Sequence, residues 1–252
     1  MTNLSLSEYS LIQNSISFGI AAMAAATIFL WLQRSQVAFQ YRTALTISGL
    51  VTFIATYHYF RIYESFSHAY IVTNGIVTAT GQPFNDAYRY VDWLLTVPLL
   101  LIELILVMNL GRKEASSKSI KLGLLAAAMV ILGYPGEISA DPTTRWIWWG
   151  LAMIPFLVIL YDLYVGLKSS IDSQPESARG LIKTARTIVV LTWSFYPIVF
   201  ILPMLGLTGG AAIVGIQVGY TIADVLAKAG FGVFIYIIAS RKSEGLMEAS
   251  HA

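Results

Sequence analysis

Cysteine is absent from all 252 residues, so disulfides and thiolate metal sites are excluded and the redox compartment stays open. Charge is scarce. Only 12% of residues are Asp, Glu, Lys or Arg, where a soluble domain carries about a quarter. With a formal net charge of +2 and no acidic or basic tail, no nucleic-acid partner is expected. Neither an internal repeat nor a Gly-rich phosphate loop can be read. The start, MTNLSLSEYS, lacks the basic segment of a secretory signal and is expected to be the mature N-terminus. What is abundant is apolar sequence, at 56% of the chain. The expected fold class is an all-α membrane protein forming one polytopic domain over residues 1–252.

Seven apolar stretches, each ending in charge, Gly or Pro, fall at about 13–32, 43–63, 86–108, 119–134, 143–167, 181–205 and 211–238. The fourth is short and Ala-rich. Basic residues set the orientation. Arg34, Arg42, Arg112, Lys113, Lys118, Lys121, Lys168, Arg179, Lys183, Arg186, Arg241 and Lys242 fall on one side, against Arg61 and Arg145 on the other. That bias predicts an outer N-terminus and a cytoplasmic C-terminus, which requires an odd number of spans. In the loop between spans two and three, AYIVTNGIVTATG places two β-branched runs around Asn74 and Gly75, predicting a short outer hairpin with a type I′ turn. The most polar connection, 168–180, is expected to be the most mobile.

Two spans carry ionisable side chains in apolar surroundings. In AAIVGIQVGYTIADVLAKAGFGVFIYII, Asp224 and Lys228 stand four residues apart on one helix face. An ammonium there is costly and must be paired, face the interior or be chemically changed. One reading is a structural ion pair. The other is a desolvated, nucleophilic amine that forms a Schiff base with a carbonyl ligand. In RYVDWLLTVPLLLIE, Asp92 and Glu103 are 11 residues apart, three turns and about 20°, so both acids share a face some 16 Å apart along the axis. Thr96 lies on that face and Arg89 three residues before Asp92. A cation, a hydroxyl and two acids at different depths suit a stepwise proton path. The plainer alternative pairs Arg89 with Asp92 and lets Glu103 reach the inner interface, which is awkward so far from the helix end.

His58, in TYHYFRIY, lies near the depth of Asp92 on the neighbouring span, where packing or a His–Asp hydrogen bond would suit it. Pro197, four residues after Trp193 and next to Tyr196, is expected to kink the sixth span. Trp93 and Trp149 could join them around a flat, conjugated ligand, although helix aromatics are more often plain core.

These motifs, DVLAK, RYVDWLLTVP and WSFYP, resemble the microbial (type 1) rhodopsins across all seven spans. Within that family the Asp92, Thr96 and Glu103 set is similar to the light-driven proton pumps of the proteorhodopsin and xanthorhodopsin group. The resemblance implies all-trans retinal on Lys228 as a protonated Schiff base, with Asp92 as counterion and proton acceptor. It further implies Asp224 as second counterion held by Tyr59 and Tyr196, Arg89 on the outer side, Glu103 as proton donor and His58 as partner of the acceptor. Trp93, Met129, Gly133, Trp149, Trp193, Tyr196 and Pro197 would line the retinal slot, and leucine at Leu100 implies green absorption. Gly150, in RWIWWGLAMIPF, would open a side window for a hydroxylated or keto-carotenoid antenna (a xanthophyll), unless it serves close helix packing. A cell-membrane location and a homo-trimer or pentamer are implied as well. The rival function is a retinal-based photosensory receptor, which gains nothing from fast reprotonation by Glu103. Glu64, Glu137 and Asp141 are outer acids that nothing in the sequence ties together as a release group.

Overall fold

A computed structural model describes residues 3–85, 87–207 and 209–251. Nine helices and a hairpin follow in order: α1 (Leu6–Gln33), α2 (Arg42–Ala69), β1 (Tyr70–Thr73), β2 (Ile76–Ala79), α3 (Tyr88–Met108), α4 (Arg112–Glu137), α5 (Pro142–Tyr161), α6 (Lys168–Asp172), α7 (Glu176–Ile201), α8 (Gly210–Asp224) and α9 (Phe231–His251). Each of the seven predicted spans is present, and the fourth is a full-length helix. The third was expected to begin at residue 86, which lies outside the described residues.

Local chemistry sets the helix starts. Ser5 and Glu8 close a reciprocal capping box on α1. Asp141 accepts from the Thr144 amide at 2.8 Å, with Pro142 at the first helical position of α5. The hairpin is the predicted one. Tyr70 pairs with Ala79 and Thr73 with Ile76, and Asn74 and Gly75 have φ of 51° and 79°, as a type I′ turn requires.

Successive spans pack side by side, and α1 closes the ring against α8. Among the described residues, six helical stretches are long and apolar enough to cross a membrane. The exception is α2, whose apolar character is diluted by polar residues that it turns inward, among them Ser48, Thr52 and His58. Large apolar side chains such as Phe18, Ile28, Leu32, Ile131, Ile154 and Leu191 point outward. Apolar side chains outside and ionisable ones inside are the arrangement of a multi-pass membrane protein.

The last span is not one regular helix. Between α8 and α9, Val225–Gly230 forms a wide π turn, and a second wide turn, Asp162–Gly166, follows α5. The segment 168–180 carries regular structure and buried polar contacts of its own. Its first residues form α6, Ser170 and Gln174 are buried, and the Gln174 amide donates to the Ser170 carbonyl at 3.1 Å.

Candidate functional site: an amine between two carboxylates

Lys228 sits inside the wide turn with only 2% of its surface exposed. Its ammonium donates to Asp92 of α3 and lies 3.1 Å from Asp224 Oδ1, one turn back on its own span. Asp92 and Asp224 are both buried. An ion triad out of water is stable only when its remaining valences are satisfied.

The two carboxylates are satisfied unequally. Asp224 accepts from the Tyr196 hydroxyl at 2.7 Å, the Tyr59 hydroxyl at 2.8 Å and the Trp93 indole at 3.1 Å. Arg89 Nη1 stands 3.5 Å from its Oδ2 and donates to the Tyr59 hydroxyl at 3.0 Å. Arg89 Nη2 donates to Gln217 at 2.9 Å. The pairing of Arg89 with Asp92 considered above therefore does not form, since the guanidinium reaches across to α8 instead. Asp92 Oδ1, by contrast, has no hydrogen-bond partner.

His58 approaches that free oxygen without bonding it. Its Nδ1 is 3.9 Å from Asp92 Oδ1 and 3.0 Å from the Ile54 carbonyl, so the direct His–Asp hydrogen bond is replaced by a longer electrostatic contact. The Thr96 hydroxyl donates to the Asp92 carbonyl at 2.8 Å, within its own helix. Three turns beyond Asp92, Glu103 is fully buried and neither carboxyl oxygen has a hydrogen-bond partner. Ser48 of α2 lies close enough to act on it, although its hydroxyl donates to the Ala44 carbonyl at 3.2 Å.

An apolar slot, partly open to the outside, has Lys228 in its lining. Trp93, Leu100, Met129, Gly133, Trp149, Trp193, Tyr196 and Pro197 line it, and Tyr59 stands in the carboxylate cluster. The Trp149 indole donates to the Pro197 carbonyl at 3.1 Å, fixing α5 to α7 beside the slot. Tyr90, Val97, Val130, Ala152, Met153, Phe156, Phe200, Tyr220 and Ala227 also line it and were not foreseen. Nor was Gln217, though it stands two turns before Asp224 on the same face, a spacing that could have revealed it. A long apolar ligand attached at its polar end to the amine fits this chamber: aromatic walls take the body, and two carboxylates balance a charged nitrogen. The residues present therefore suit retinal held through Lys228.

Gly150 lies outside the slot lining, and a Cβ built on it would meet nothing within 4 Å. Close helix packing does not account for this glycine. The acids read as outer candidates remain separate: Glu64 pairs with Arg61 at 3.2 Å, Glu137 with Arg145 at 3.5 Å, and Asp141 caps α5. Hydrogen bonds from Thr144 hold the Asp141 carboxyl below the usual aspartate range.

Comparison with known proteins gives one consistent picture. The family model for bacteriorhodopsin-like protein matches residues 10–241. The green-light absorbing proteorhodopsin of Gamma-proteobacterium EBAC31A08 is 30% identical over 244 residues, covering 96% of this chain and 90% of that protein. The crystal structure of xanthorhodopsin, described as a light-driven ion pump with dual chromophore, is 50% identical with a TM-score of 0.94, covering 97% of this chain and 98% of that one. Thermophilic rhodopsin is 44% identical, also with a TM-score of 0.94 and the same coverage of both chains.

Proposed function

This chain belongs to the bacteriorhodopsin-like family, and on that premise we propose that it is a light-driven proton pump moving protons outward across a cell membrane. One observation carries the reading: the Lys228 amine lies between two unequal carboxylates while Glu103 stands buried and unpartnered further along the face of α3. All-trans retinal, bound through the Lys228 nitrogen as a protonated Schiff base, would supply light absorption and a change of shape in the slot.

The rest is chemistry of the chain. Asp92 is the acceptor, because it touches the nitrogen and one of its oxygens is uncommitted. Asp224 keeps its charge, since three donors and Arg89 hold it as a fixed counterion. Arg89 takes the outer side of the cluster with Gln217, on the path by which the proton leaves. Glu103 returns a proton to the nitrogen from the cytoplasmic side, as its burial further along the α3 face suits. The basic bias of the loops supports this orientation. His58, at 3.9 Å, biases Asp92 electrostatically. A sensory role is the weaker reading, because Glu103 would then have no task.

A finer element is a carotenoid antenna over Gly150. Open space at this residue, beside outward apolar side chains Ile147, Leu151 and Ile154, supports it. Cells expressing the chain with added retinal should acidify their medium reversibly under light, and a protonophore should abolish the signal. A coloured protein without any pH change would overturn the pumping reading.

A further inference from the structure

Lys242, in α9, is one of the twelve basic residues that the sequence puts on one side of the membrane, and it is only 7% exposed. Its ammonium donates to the carbonyls of Val107 at 3.0 Å and Met108 at 2.9 Å, and to Gln174 Oε1 at 2.7 Å. The Tyr41 ring lies 5.1 Å away. All of these partners are neutral. A buried ammonium with no carboxylate paired to it among the described residues is an unusual use of a lysine, because burial is costly and neutral acceptors repay only part of it.

The position explains the cost. Val107 and Met108 close α3, where the last carbonyls lack intrahelical donors and the helix dipole presents its negative end. These two residues come one turn after Glu103, roughly 6–7 Å further toward the cytoplasm. Gln174 extends the contact sideways. Its amide donates to the Ser170 carbonyl at 3.1 Å, the Ser170 hydroxyl donates to Glu114 at 2.6 Å, and Glu114 stands 3.7 Å from Lys118 on α4. A continuous polar strap thus runs from α4 through the α6–α7 connection to α9 and the end of α3. Lys242 is its only contact with α3 in this chain of bonds. Below it, Glu103 is sealed from water.

We propose that Lys242 is a positioning residue that closes the cytoplasmic entrance to Glu103, so that its release from the ends of α3 and Gln174 sets how fast Glu103 is recharged with a proton. The closure follows from the contacts alone. Its effect on recharging rests on the pumping function proposed above. Lysine suits the task because its three donors satisfy two carbonyls and one amide at once. Its strongly hydrated ammonium also gains water when the strap opens.

Full-length protein carrying retinal, in lipid nanodiscs, would be compared as wild type, Lys242→Met, Lys242→Arg and Gln174→Ala. In the dark, Lys242→Met should raise amide hydrogen exchange at residues 103–110 and 168–176 at least tenfold. It should also raise labelling of Glu103 by a water-soluble carbodiimide at least fivefold. Lys242→Arg should restore most of both protections, and Gln174→Ala should give a smaller rise of about threefold in exchange. After a flash, Lys242→Met should recharge Glu103 faster, read from proton uptake with a pH dye. Unchanged exchange and labelling in both folded variants would overturn the closure. If those dark readouts change while no light-driven uptake is seen in any variant, the closure stands and the pumping function fails. Should Lys242→Met not fold, Gln174→Ala decides: dark protection equal to wild type would overturn the closure.

Discussion

Asp92 and Asp224 flank the same amine but share it on unequal terms. Asp224 is bound by Tyr59, Tyr196 and Trp93, whereas Asp92 Oδ1 has no hydrogen-bond partner. The two acids should therefore fail differently. Asp92→Asn should leave a folded, coloured protein whose light-driven acidification falls on the order of a hundredfold or more, the scale of a lost proton-transfer partner. Asp224→Asn should lower stability by about 3–5 kcal/mol in thermal unfolding, because it removes the buried charge that faces Lys228 and Arg89 and sets an amide donor against the Tyr59 hydroxyl. Equal losses of stability in both variants would contradict the assignment.

Glu103 is fully buried and, among the described residues, neither of its carboxyl oxygens has a hydrogen-bond partner, which fits a group that must hold and release a proton rather than anchor the fold. Glu103→Gln keeps its shape and removes its proton. Reprotonation of the Lys228 nitrogen after a flash should slow on the order of a hundredfold, with thermal stability little changed. Kinetics matching wild type would remove Glu103 as the donor.

At Gly150 the backbone faces open space, so a large side chain fits there without disturbing the helices. Gly150→Trp should abolish energy transfer from an added hydroxylated or keto-carotenoid, read as loss of carotenoid bands from the action spectrum. Proton transport under direct retinal excitation should persist. Transfer that survives the substitution would exclude this window.

Gly19 is the opposite case. A Cβ there would lie 2.5 Å from Cε1 of the buried Tyr59 ring, whose hydroxyl holds Asp224. Gly19→Ala should cost about 1–3 kcal/mol through overpacking. It should also shift the absorption band by displacing a counterion support. A variant with wild-type melting and colour would show that Tyr59 can move freely.

The spans were legible because each apolar run ends in charge, Gly or Pro, and the hairpin because Asn74 and Gly75 take positive φ with little strain. The alignment of Asp92 with Glu103 follows from helical phase alone. Contacts across helices do not. Arg89 stands three positions before Asp92, yet its guanidinium goes to Asp224 and Gln217 on α8, partners that sequence spacing on α3 does not reveal. The burial of Lys242 was not legible for the same reason: its ammonium meets the end of α3 and Gln174, neither of which is near it in sequence. Nor does any composition mark the wide turn at Val225–Gly230, since VLAKAG has no breaker at its centre.

That wide turn also sets an angular phase. A turn closed over five residues instead of four holds one residue more than an α-helical turn, worth about 100° of rotation. Asp224 lies before it and Lys242 well after it, and each meets a partner on α3. Had the same residues run through 225–230 as a regular α-helix, everything after them would be rotated by about a quarter of a circle. The extra residue is thus a phase shifter, which lets a single rod address the two ends of α3 at once.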